Sequence, residues 1–472
     1  MQSNRLLLAI PILAVLSATA IANFKTPDNI LEMTQFRDRH NRTFIPQGYV
    51  VNTHVRGEKV EYSLADYQRM TRYGANFQVI RISLRRLGGW PGHKLQNDYL
   101  KQIDSMIKNA NAVGIKTCFK MVVYDIPDFK KIDGWSLIWH NTNDTHQHII
   151  SAWQAIWTRY KDDPNVIAYD LLNEPMLGDV KDFQTLERDY LVPLYRKLID
   201  ELHKISPQKY ACYQPIHTEP KEDCFSPFAD MTVPINRSNI IFAAHIYEYE
   251  PHEISDRLDN YAEQANLSNA KLILGEWGPA IFRHWDHTTR DQQFIARVYD
   301  RSCKEIDLRS IATVKAWFIG TLGWGDSSNP ATWAIFRDKK HMGTVERKYI
   351  LDYICRPRPL YVAGRTKTFS HNFQTRTFEM SYTPQKTTAP TELYIPANRH
   401  YPDGFTVLVN DEAVFNLALD IDTPSHLKPT LTDAAKNFGN IEWQSWPQKL
   451  IIDDSHLIDK LLILKIAPGR FL

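Results

Sequence analysis

Cysteine is scarce in this sequence. Only 5 of the 472 residues are cysteine, and an odd number cannot all pair with one another within one chain. Cys212 and Cys224 bracket a short loop that a disulfide can close if the chain is exported. Cys118 falls in a predicted core strand, so we expect it to be a buried free thiol.

The sequence also lacks a dominant charge and a long internal apolar run. Lys and Arg total 56 and Asp and Glu total 54, which gives a net charge of +2 with no basic run. This balance argues against nucleic acid as a partner. Beyond the N-terminus no apolar stretch is long enough to span a bilayer, and we find no internal repeat and no low-complexity tract.

The N-terminus carries a segment typical of a signal peptide. Arg5 precedes an apolar stretch over residues 6–16, and small residues follow at 20–22. The stretch is short for a bilayer span, although an uncleaved membrane anchor is the alternative reading. We therefore expect residues 1–22 to direct export, and the mature protein to be secreted or periplasmic.

Strand and helix patterns alternate from about residue 43 to residue 355. Helical spacing of apolar residues predicts helices at about 97–113 and 146–160. Strands with helical crossovers indicate a parallel sheet, and eight of them close most simply into a (β/α)8 TIM barrel, an α/β fold. The strand candidates are 43–50, 77–83, 116–123, 166–172, 209–214, 240–247, 271–277 and 314–320.

The pattern of predicted secondary structure changes after Cys355. The RPRP segment at 356–359 is predicted to be a linker. Short alternating runs follow, such as TRTFEMSYTP and GFTVLVN, which indicate an antiparallel β-sandwich. The expected organisation is a signal peptide at 1–22, a barrel domain at 23–355 and a β-sandwich domain at 356–472.

Two glutamates end predicted barrel strands. YDLLNEP closes the fourth strand on Asn173 and Glu174, and Pro175 is expected to hold Glu174 extended. LILGEWGP closes the seventh strand on Glu276. An NEP tripeptide alone is a weak signal, but the strand ends of a barrel share one bowl, so the two carboxylates should face each other. Retaining glycoside hydrolysis uses such a pair about 5 to 5.5 Å apart.

Four further side chains are predicted at the same end of the barrel. Arg81 closes the second strand, His245 and Tyr247 share one side of the sixth, and Trp317 lies on the eighth. Each alone also fits a structural role: an ion pair, a core histidine, rim packing and barrel filler. Together with two glutamates and an asparagine at strand ends, they favour a site.

The roles of the two glutamates require different environments. If Glu276 is the carboxylate that attacks, it must be ionised, and a nearby Arg81 cation and Tyr247 hydroxyl are expected to lower its pKa. Glu174 must then hold a proton, and burial beside a second carboxylate is expected to raise its pKa. The histidines are scattered without ligand spacing, so the sequence calls for no metal and no cofactor.

These stretches resemble glycoside hydrolase family 5, the cellulase family of clan A. The resemblance covers the whole barrel and rests on WQAIWTRYKDDPNVIAYDLLNEP, on HIY at 245–247 and on LILGEWGP. It implies that Glu174 is the acid/base, Glu276 the nucleophile and Asn173 a donor to the sugar 2-hydroxyl. It further implies that Arg81 and Tyr247 hold the nucleophile, that His245 lies near the acid/base, and that Trp317 lies under the sugar.

One position departs from the family. Val122 stands where many members carry a histidine that touches substrate, and Lys120, Tyr124 or Asp125 could compensate for it. This departure argues against assigning to this chain the substrates of ordinary cellulases.

The second domain narrows the expected substrate. Its run TELYIPANRHYPDGFTVLVN resembles the C-terminal sandwich of endoglycoceramidase-related members, which implies a β-linked glycolipid or oligosaccharide substrate and a transient contact with a membrane surface. A sandwich that only buttresses the barrel fits equally well. The alternatives are a cellulase-like endo-β-1,4-glucanase or mannanase and, in another class, a carbohydrate-binding protein without turnover.

Overall fold

The computed structural model describes residues 35–55, 58–127, 129–218, 228–278, 289–309, 311–315, 335–336, 345–419 and 427–469. The predicted signal peptide at 1–22 lies outside these residues. Among the described helices, none combines the length and the hydrophobicity that crossing a bilayer requires.

The first part of the chain builds a closed barrel. Its strands are β1 (Phe36–Arg37), β2 (Thr43–Phe44), β3 (Gln47–Asn52), β4 (His54–Val55), β5 (Glu58–Lys59), β6 (Phe77–Ser83), β7 (Lys116–Val122), β8 (Val166–Asp170), β9 (Tyr210–Tyr213), β10 (Ile240–Ile246), β11 (Lys271–Trp277) and β12 (Ala312–Lys315). Strand β3 and strands β6 to β12 run parallel and close in chain order, which confirms the predicted TIM barrel. Strands β4 and β5 form a separate pair.

Helices cover the outside of the barrel. They are α1 (Leu64–Arg72), α2 (Asn97–Ala112), α3 (Gly134–Trp139), α4 (Thr145–Tyr160), α5 (Phe183–Leu186), α6 (Val192–Ile205), α7 (Pro251–Leu267), α8 (Thr289–Leu308) and α9 (Lys348–Ile354). A capping box between Ser63 and Asp66 starts α1. Helix α4 buries Trp153 and Trp157, which stack on each other and meet Tyr169 of β8 edge to face. Between β9 and β10, the described residues 214–218 and 228–239 form no helix.

Most predicted strands match the structure closely, and the first does not. The predicted strand at 43–50 is two strands that belong to different sheets, because Pro46, which has no N–H to donate to a ladder, separates β2 from β3. The last predicted strand begins earlier than expected, at Ala312, and residues 316–320 of the prediction lie outside the described part of the chain.

The C-terminal part forms two antiparallel sheets that pack face to face. Its strands are β13 (Arg358–Val362), β14 (Gly364–Asn372), β15 (Thr377–Pro384), β16 (Thr391–Tyr394), β17 (Gly404–Val409), β18 (Glu412–Leu419), β19 (Leu427–Leu431), β20 (Asn440–Gln444), β21 (Lys449–Asp453) and β22 (Leu462–Pro468), with short helices α10 (Ala397–His400) and α11 (Ala435–Phe438). The sheet orders are β1-β2-β13-β16-β21-β20 and β14-β15-β22-β17-β18-β19. A continuous apolar core that includes Phe378, Leu393 and Ile466 fills the space between them. The predicted sandwich is confirmed, and β1 and β2 from the start of the chain extend its first sheet.

The RPRP segment is not an exposed linker. Arg356 is fully buried and forms an ion pair with Asp307 at the end of α8, while Arg358 and Pro359 already belong to β13. The prediction was wrong because alternating Arg and Pro is typical of exposed connections, whereas here the arginines lie between the barrel and the sandwich.

The barrel interior holds two thiols that face each other. Cys118 of β7 and Cys212 of β9 are both buried and free, with 3.9 Å between their sulfur atoms. The free thiol expected at Cys118 is therefore confirmed. The proposed bridge from Cys212 is not formed, and its expected partner Cys224 lies outside the described residues.

Candidate active site

The predicted site residues cluster at the C-terminal ends of the barrel strands. Asn173 and Glu174 follow β8, while His245 and Tyr247 lie on β10 and just after it. Glu276 is the next-to-last residue of β11. A β-bulge between Ala244 and His245 shifts the register so that His245 pairs with Glu276. Bulges of this kind re-aim side chains near active sites.

Glu174 adopts a strained backbone conformation. Its φ of 48° lies in the left-handed region, so the extended conformation expected before Pro175 was wrong. Contacts with the end of β9 hold it there: Glu174 N–H donates to Oε1 of Gln214 at 2.8 Å, and His217 N–H donates to the carbonyl of Pro175. Such strain costs on the order of 1–3 kcal/mol and persists where neighbours fix a side chain for function.

The two glutamates face each other across the bowl. One carboxylate oxygen of Glu174, one of Glu276 and a ring nitrogen of His245 all lie within 4.8 Å of one another. Glu276 keeps only 4% of its side chain exposed, whereas Glu174 keeps 20%. This spacing suits the retaining mechanism, which needs about 5 Å, better than the inverting one, which needs about 6.5 Å or more.

Two donors hold the carboxylate of Glu276. Tyr247 donates its hydroxyl to Oε2 at 2.9 Å, and Lys120 donates to Oε1 at 3.0 Å. Burial alone would raise the pKa of Glu276, but the charges of Lys120, His245 and Arg81 outweigh burial and hold this pKa far below its usual range. The carboxylate is therefore ionised at neutral pH, as a nucleophile must be.

Glu174 has a different environment. Oε1 of Glu174 lies 2.9 Å from Nδ1 of His245. Burial favours the neutral acid and raises the pKa, as expected from the sequence, but the hydrogen bond and charge of His245 outweigh burial, so the pKa lies below its usual range. The expected direction was wrong for the site without substrate, because the sequence did not reveal how close the histidine would be.

Asn173 lies beside Glu174, the acid/base candidate, and its side-chain oxygen is available as a hydrogen-bond acceptor. Its Nδ2 is 3.4 Å from Oε2 of Glu174, and its backbone N–H donates to Met121. The side chain is buried, and no described residue donates to its Oδ1. An amide held this way can reach a hydroxyl of a bound sugar.

The strand that departs from the family pattern contributes three features. Lys120 lies at the floor of the bowl, Val122 is partly buried above it, and Tyr124 is 38% exposed with its hydroxyl 3.2 Å from the carbonyl oxygen of Glu174. Asp125 instead accepts from Ser83 and lies close to two arginines away from the glutamates. Lys120 and Tyr124 thus remain near the reacting groups.

Most of the predicted constellation comes together, and Trp317 lies outside the described residues. Arg81 stands beside Lys120 in the strand register and acts on Glu276 through its charge. Sequence reasoning missed Asp170 and Gln214, whose side chains are 2.6 Å apart beneath Glu174. The available signal was the alternation of each strand, which points Asp170 into the barrel.

The family follows from a direct comparison. Residues 47–318, more than half of the chain, match the model of the cellulase family, glycosyl hydrolase family 5. The chain belongs to glycosyl hydrolase family 5. Residues 356–433 also match the model of the glycoside hydrolase family 5 C-terminal domain. The resemblance drawn from the sequence is therefore confirmed for both parts of the chain.

Several members of family 5 are similar to this chain. Endoglycoceramidase I of Rhodococcus hoagii (strain 103S) is 23% identical over 307 residues, which cover 59% of this chain and 54% of that protein. Endoglycoceramidase of Hydra vulgaris is 23% identical over 284 residues, 57% of this chain and 50% of that protein. The chain thus spans about half the length of the curated relatives that it matches.

A solved structure extends the likeness to nearly the whole fold. Endo-glycoceramidase II from Rhodococcus sp., in a complex with ganglioside GM3, superposes with a TM-score of 0.66 at 18% identity, over 92% of this chain and 99% of that one. At this identity the likeness establishes the fold, a barrel followed by a sandwich.

Proposed function

We propose that the protein is an exported, retaining β-glycosidase that hydrolyses a β-linked glycolipid or oligosaccharide. The observation that carries the proposal is the unequal pair of glutamates. Carboxylate oxygens of Glu174 and Glu276 lie within 4.8 Å of each other, and among the described contacts of the pair only those of Glu276 include both a cation and a side-chain hydroxyl. A binding protein has no need of such a pair.

In the first step, Glu276 attacks the anomeric carbon and the glycosidic C–O bond breaks. Glu174 gives its proton to the leaving oxygen, so the aglycone departs as an alcohol and the sugar becomes a glycosyl ester of Glu276. Lys120 and Tyr247 orient the attacking carboxylate before the substrate arrives, which avoids reorganisation during the reaction.

In the second step, water hydrolyses the glycosyl ester of Glu276. Glu174, now a carboxylate, takes a proton from water, whose oxygen attacks the anomeric carbon, and Glu276 leaves as a carboxylate. Two inversions give net retention. Asn173 stabilises both transition states if its amide bonds the sugar 2-hydroxyl, because that bond tightens as positive charge develops on the ring.

A glycolipid is the substrate class that we favour. The C-terminal domain matches the family 5 model, and the similar proteins named above are endoglycoceramidases. The loops beside the bowl also expose apolar side chains, with Leu95 at 41% and Ile132 at 44%. Buried Trp90 and Phe129 from the same two loops meet edge to face, and we expect the exposed apolar side chains of these loops to contact a lipid or a membrane surface.

A substrate panel tests this function. Purified protein is incubated with glucosylceramide and lactosylceramide in mixed micelles, and separately with soluble β-glucan and mannan, and the products are identified by mass spectrometry. We expect release of ceramide with the glycan and little cleavage of the polysaccharides. Proton NMR of the first product formed should show the β-anomer, and Glu276→Gln should abolish turnover.

Either of two results would refute the assignment. An α-anomer as the first product would mean inversion, and retained turnover in Glu276→Gln would remove the nucleophile. Cleavage of glucan alone would redirect the substrate proposal to a cellulase-like activity while leaving the retaining mechanism intact.

A further inference from the structure

Lys120 is a fully buried cation beneath both glutamates. It lies on β7, and its Nζ is 2.9 Å from Nε2 of His245 and 3.0 Å from Oε1 of Glu276. Asp170 and the carbonyl oxygen of Gly275 complete its surroundings at 3.6 and 3.4 Å. A lysine is rarely buried without a charged partner, and here each of its contacts leads to a reacting group or to the floor of the site.

We propose that Lys120 is a positioning residue that keeps the roles of the two glutamates apart, by holding Glu276 as the carboxylate and by orienting His245 so that its Nδ1–H is directed at Glu174. This inference rests on the proposed retaining function. It concerns how this chain, with a lysine in the middle of β7, prepares an acid and a nucleophile from identical side chains.

The hydrogen-bond geometry determines the state of the histidine ring. An ammonium group has three donors and no acceptor, so Nε2 of His245 must accept from Lys120. The proton of the ring then resides on Nδ1, which donates to Oε1 of Glu174. A second proton on Nε2 would place two donors 2.9 Å apart, which is unfavourable.

The effects on the two glutamates differ. The charge of Lys120 is the strongest of the charges that lower the pKa of Glu276 against the opposing effect of burial. At Glu174, burial raises the pKa, and the hydrogen bond and charge of His245 lower it. Lys120 thus acts directly on Glu276 through its charge, and on Glu174 only through the orientation of the histidine ring between them.

The neighbouring charges do not replace Lys120 in this role. The other titratable groups around it are Arg81 on β6, Asp170 and Glu174 on and after β8, Cys212 on β9, His217 after β9, and Tyr247 after β10. Arg81 among them is a fixed cation and stands beside Lys120 in the strand register, whereas Nε2 of His245 lies 2.9 Å from Nζ of Lys120. The ring nitrogen that faces the interior is therefore in direct contact with Lys120.

The test is the pH profile of kcat/KM for an aryl β-glycoside, measured for wild type, Lys120→Met and Lys120→Arg. Without the ammonium, Glu276 takes up a proton more easily. The acid limb should therefore move up by about one pH unit or more. Lys120→Arg restores a donor cation and should move the acid limb back down, even if kcat stays low.

A matched control separates this role from simple stability. Lys209 is also buried beside a barrel strand, but its Nζ donates to the carbonyls of Asp163 and Val166 at 2.6 Å, away from the glutamates. Lys209→Met should lower the thermal midpoint and leave both limbs of the profile in place. Unchanged limbs in a folded Lys120→Met would overturn the proposal.

A second measurement does not depend on the variant folding. Nitrogen-15 NMR of histidine-labelled wild type reports the state of the His245 ring, assigned with His245→Gln. We expect a proton on Nδ1 and none on Nε2 at the pH of maximal activity, and a proton on Nε2 there would overturn the proposal. If wild type forms no covalent intermediate with a 2-fluoro glycoside, the proposed function fails instead, whatever the state of the ring.

Discussion

The hydroxyl of Tyr247 lies 2.9 Å from Oε2 of Glu276, on the oxygen that Lys120 leaves unoccupied. The pair fixes the plane of the carboxylate as well as its charge. Tyr247 is itself partly buried beside both glutamates, and burial and these charges raise its pKa well above the usual value, so it remains a donor over the whole pH range of an enzyme assay.

Tyr247→Phe should therefore lower kcat/KM about tenfold to a hundredfold, because a hydrogen bond to a charged group contributes about 1.5–3 kcal/mol. Steady-state kinetics on an aryl β-glycoside measure the loss. Tyr160→Phe is the control, since its hydroxyl also bonds a carboxylate, Asp104, but on the outer helices. Equal losses in the two variants would contradict a role at Glu276.

Glu174→Gln should affect poor leaving groups far more than good ones. General acid catalysis contributes about 10²–10⁴-fold, and a dinitrophenolate leaves without a proton. Added azide should restore turnover of the activated substrate and give a β-glycosyl azide, because azide needs no base. The control is Glu187→Gln, because Glu187 is buried and accepts hydrogen bonds from Thr232 and Val233. This variant should keep the wild-type rate on both substrates. A loss independent of leaving group would remove Glu174 from the acid role.

The loss of kcat/KM in Asn173→Ala should depend on whether the sugar carries a 2-hydroxyl. We expect kcat/KM to fall about a hundredfold for the ordinary glycoside and by much less for the 2-deoxy glycoside, because the bond being removed is then already absent. Asn76→Ala is the control, since Asn76 is buried and bonds the carbonyls of Ile45 and Leu360. A loss of equal size on both substrates would indicate disturbed folding instead.

The sandwich should lose stability as pH rises towards neutrality. Burial raises the pKa of Asp454 to about 6, although a hydrogen bond from Tyr382 acts the other way. The folded state then holds this proton more tightly than the unfolded state, so the stabilisation present below about pH 4 is lost as pH rises through about 6. The size of the effect is on the order of 3 kcal/mol.

Thermal midpoints of wild type and Asp454→Asn at pH 4, 5.5 and 7 test this linkage. The difference between the two proteins should shift in favour of Asp454→Asn as pH rises, because asparagine accepts from Tyr382 without ionising. Asp433→Asn, at a side chain that is 98% exposed, should follow the wild-type curve. Parallel curves for Asp454→Asn and wild type would contradict the raised pKa.

The barrel and its two glutamates could be predicted because strand ends follow from local pattern. The strand that contains Glu276 and the strand that contains Arg81 were predicted with the bounds that the structure has, 271–277 and 77–83. Once eight parallel strands are inferred, closure brings residues 102 positions apart to one bowl without further information.

What the sequence could not supply depends on distances between strands. Lys120 reads as a polar interruption of an apolar strand, and only the closed barrel shows that it lies between His245 and Glu276. The left-handed Glu174 depends on contacts with Gln214 and His217, two residues on another strand end. The burial of Arg356 depends on Asp307, which no local pattern connects to it.

Because of the short strands β1 and β2, the sandwich contains segments from both sides of the barrel in the sequence. From Phe36 the chain runs through the first sheet of the sandwich, leaves it to wind the barrel, and returns to pair β13 with β2. The barrel is thus an insertion within the other domain. Removing everything after residue 355 would remove β13, which pairs with β2, and would expose Phe44, which stacks on Tyr361. We therefore expect that no single cut of the chain yields a barrel and a sandwich that fold separately.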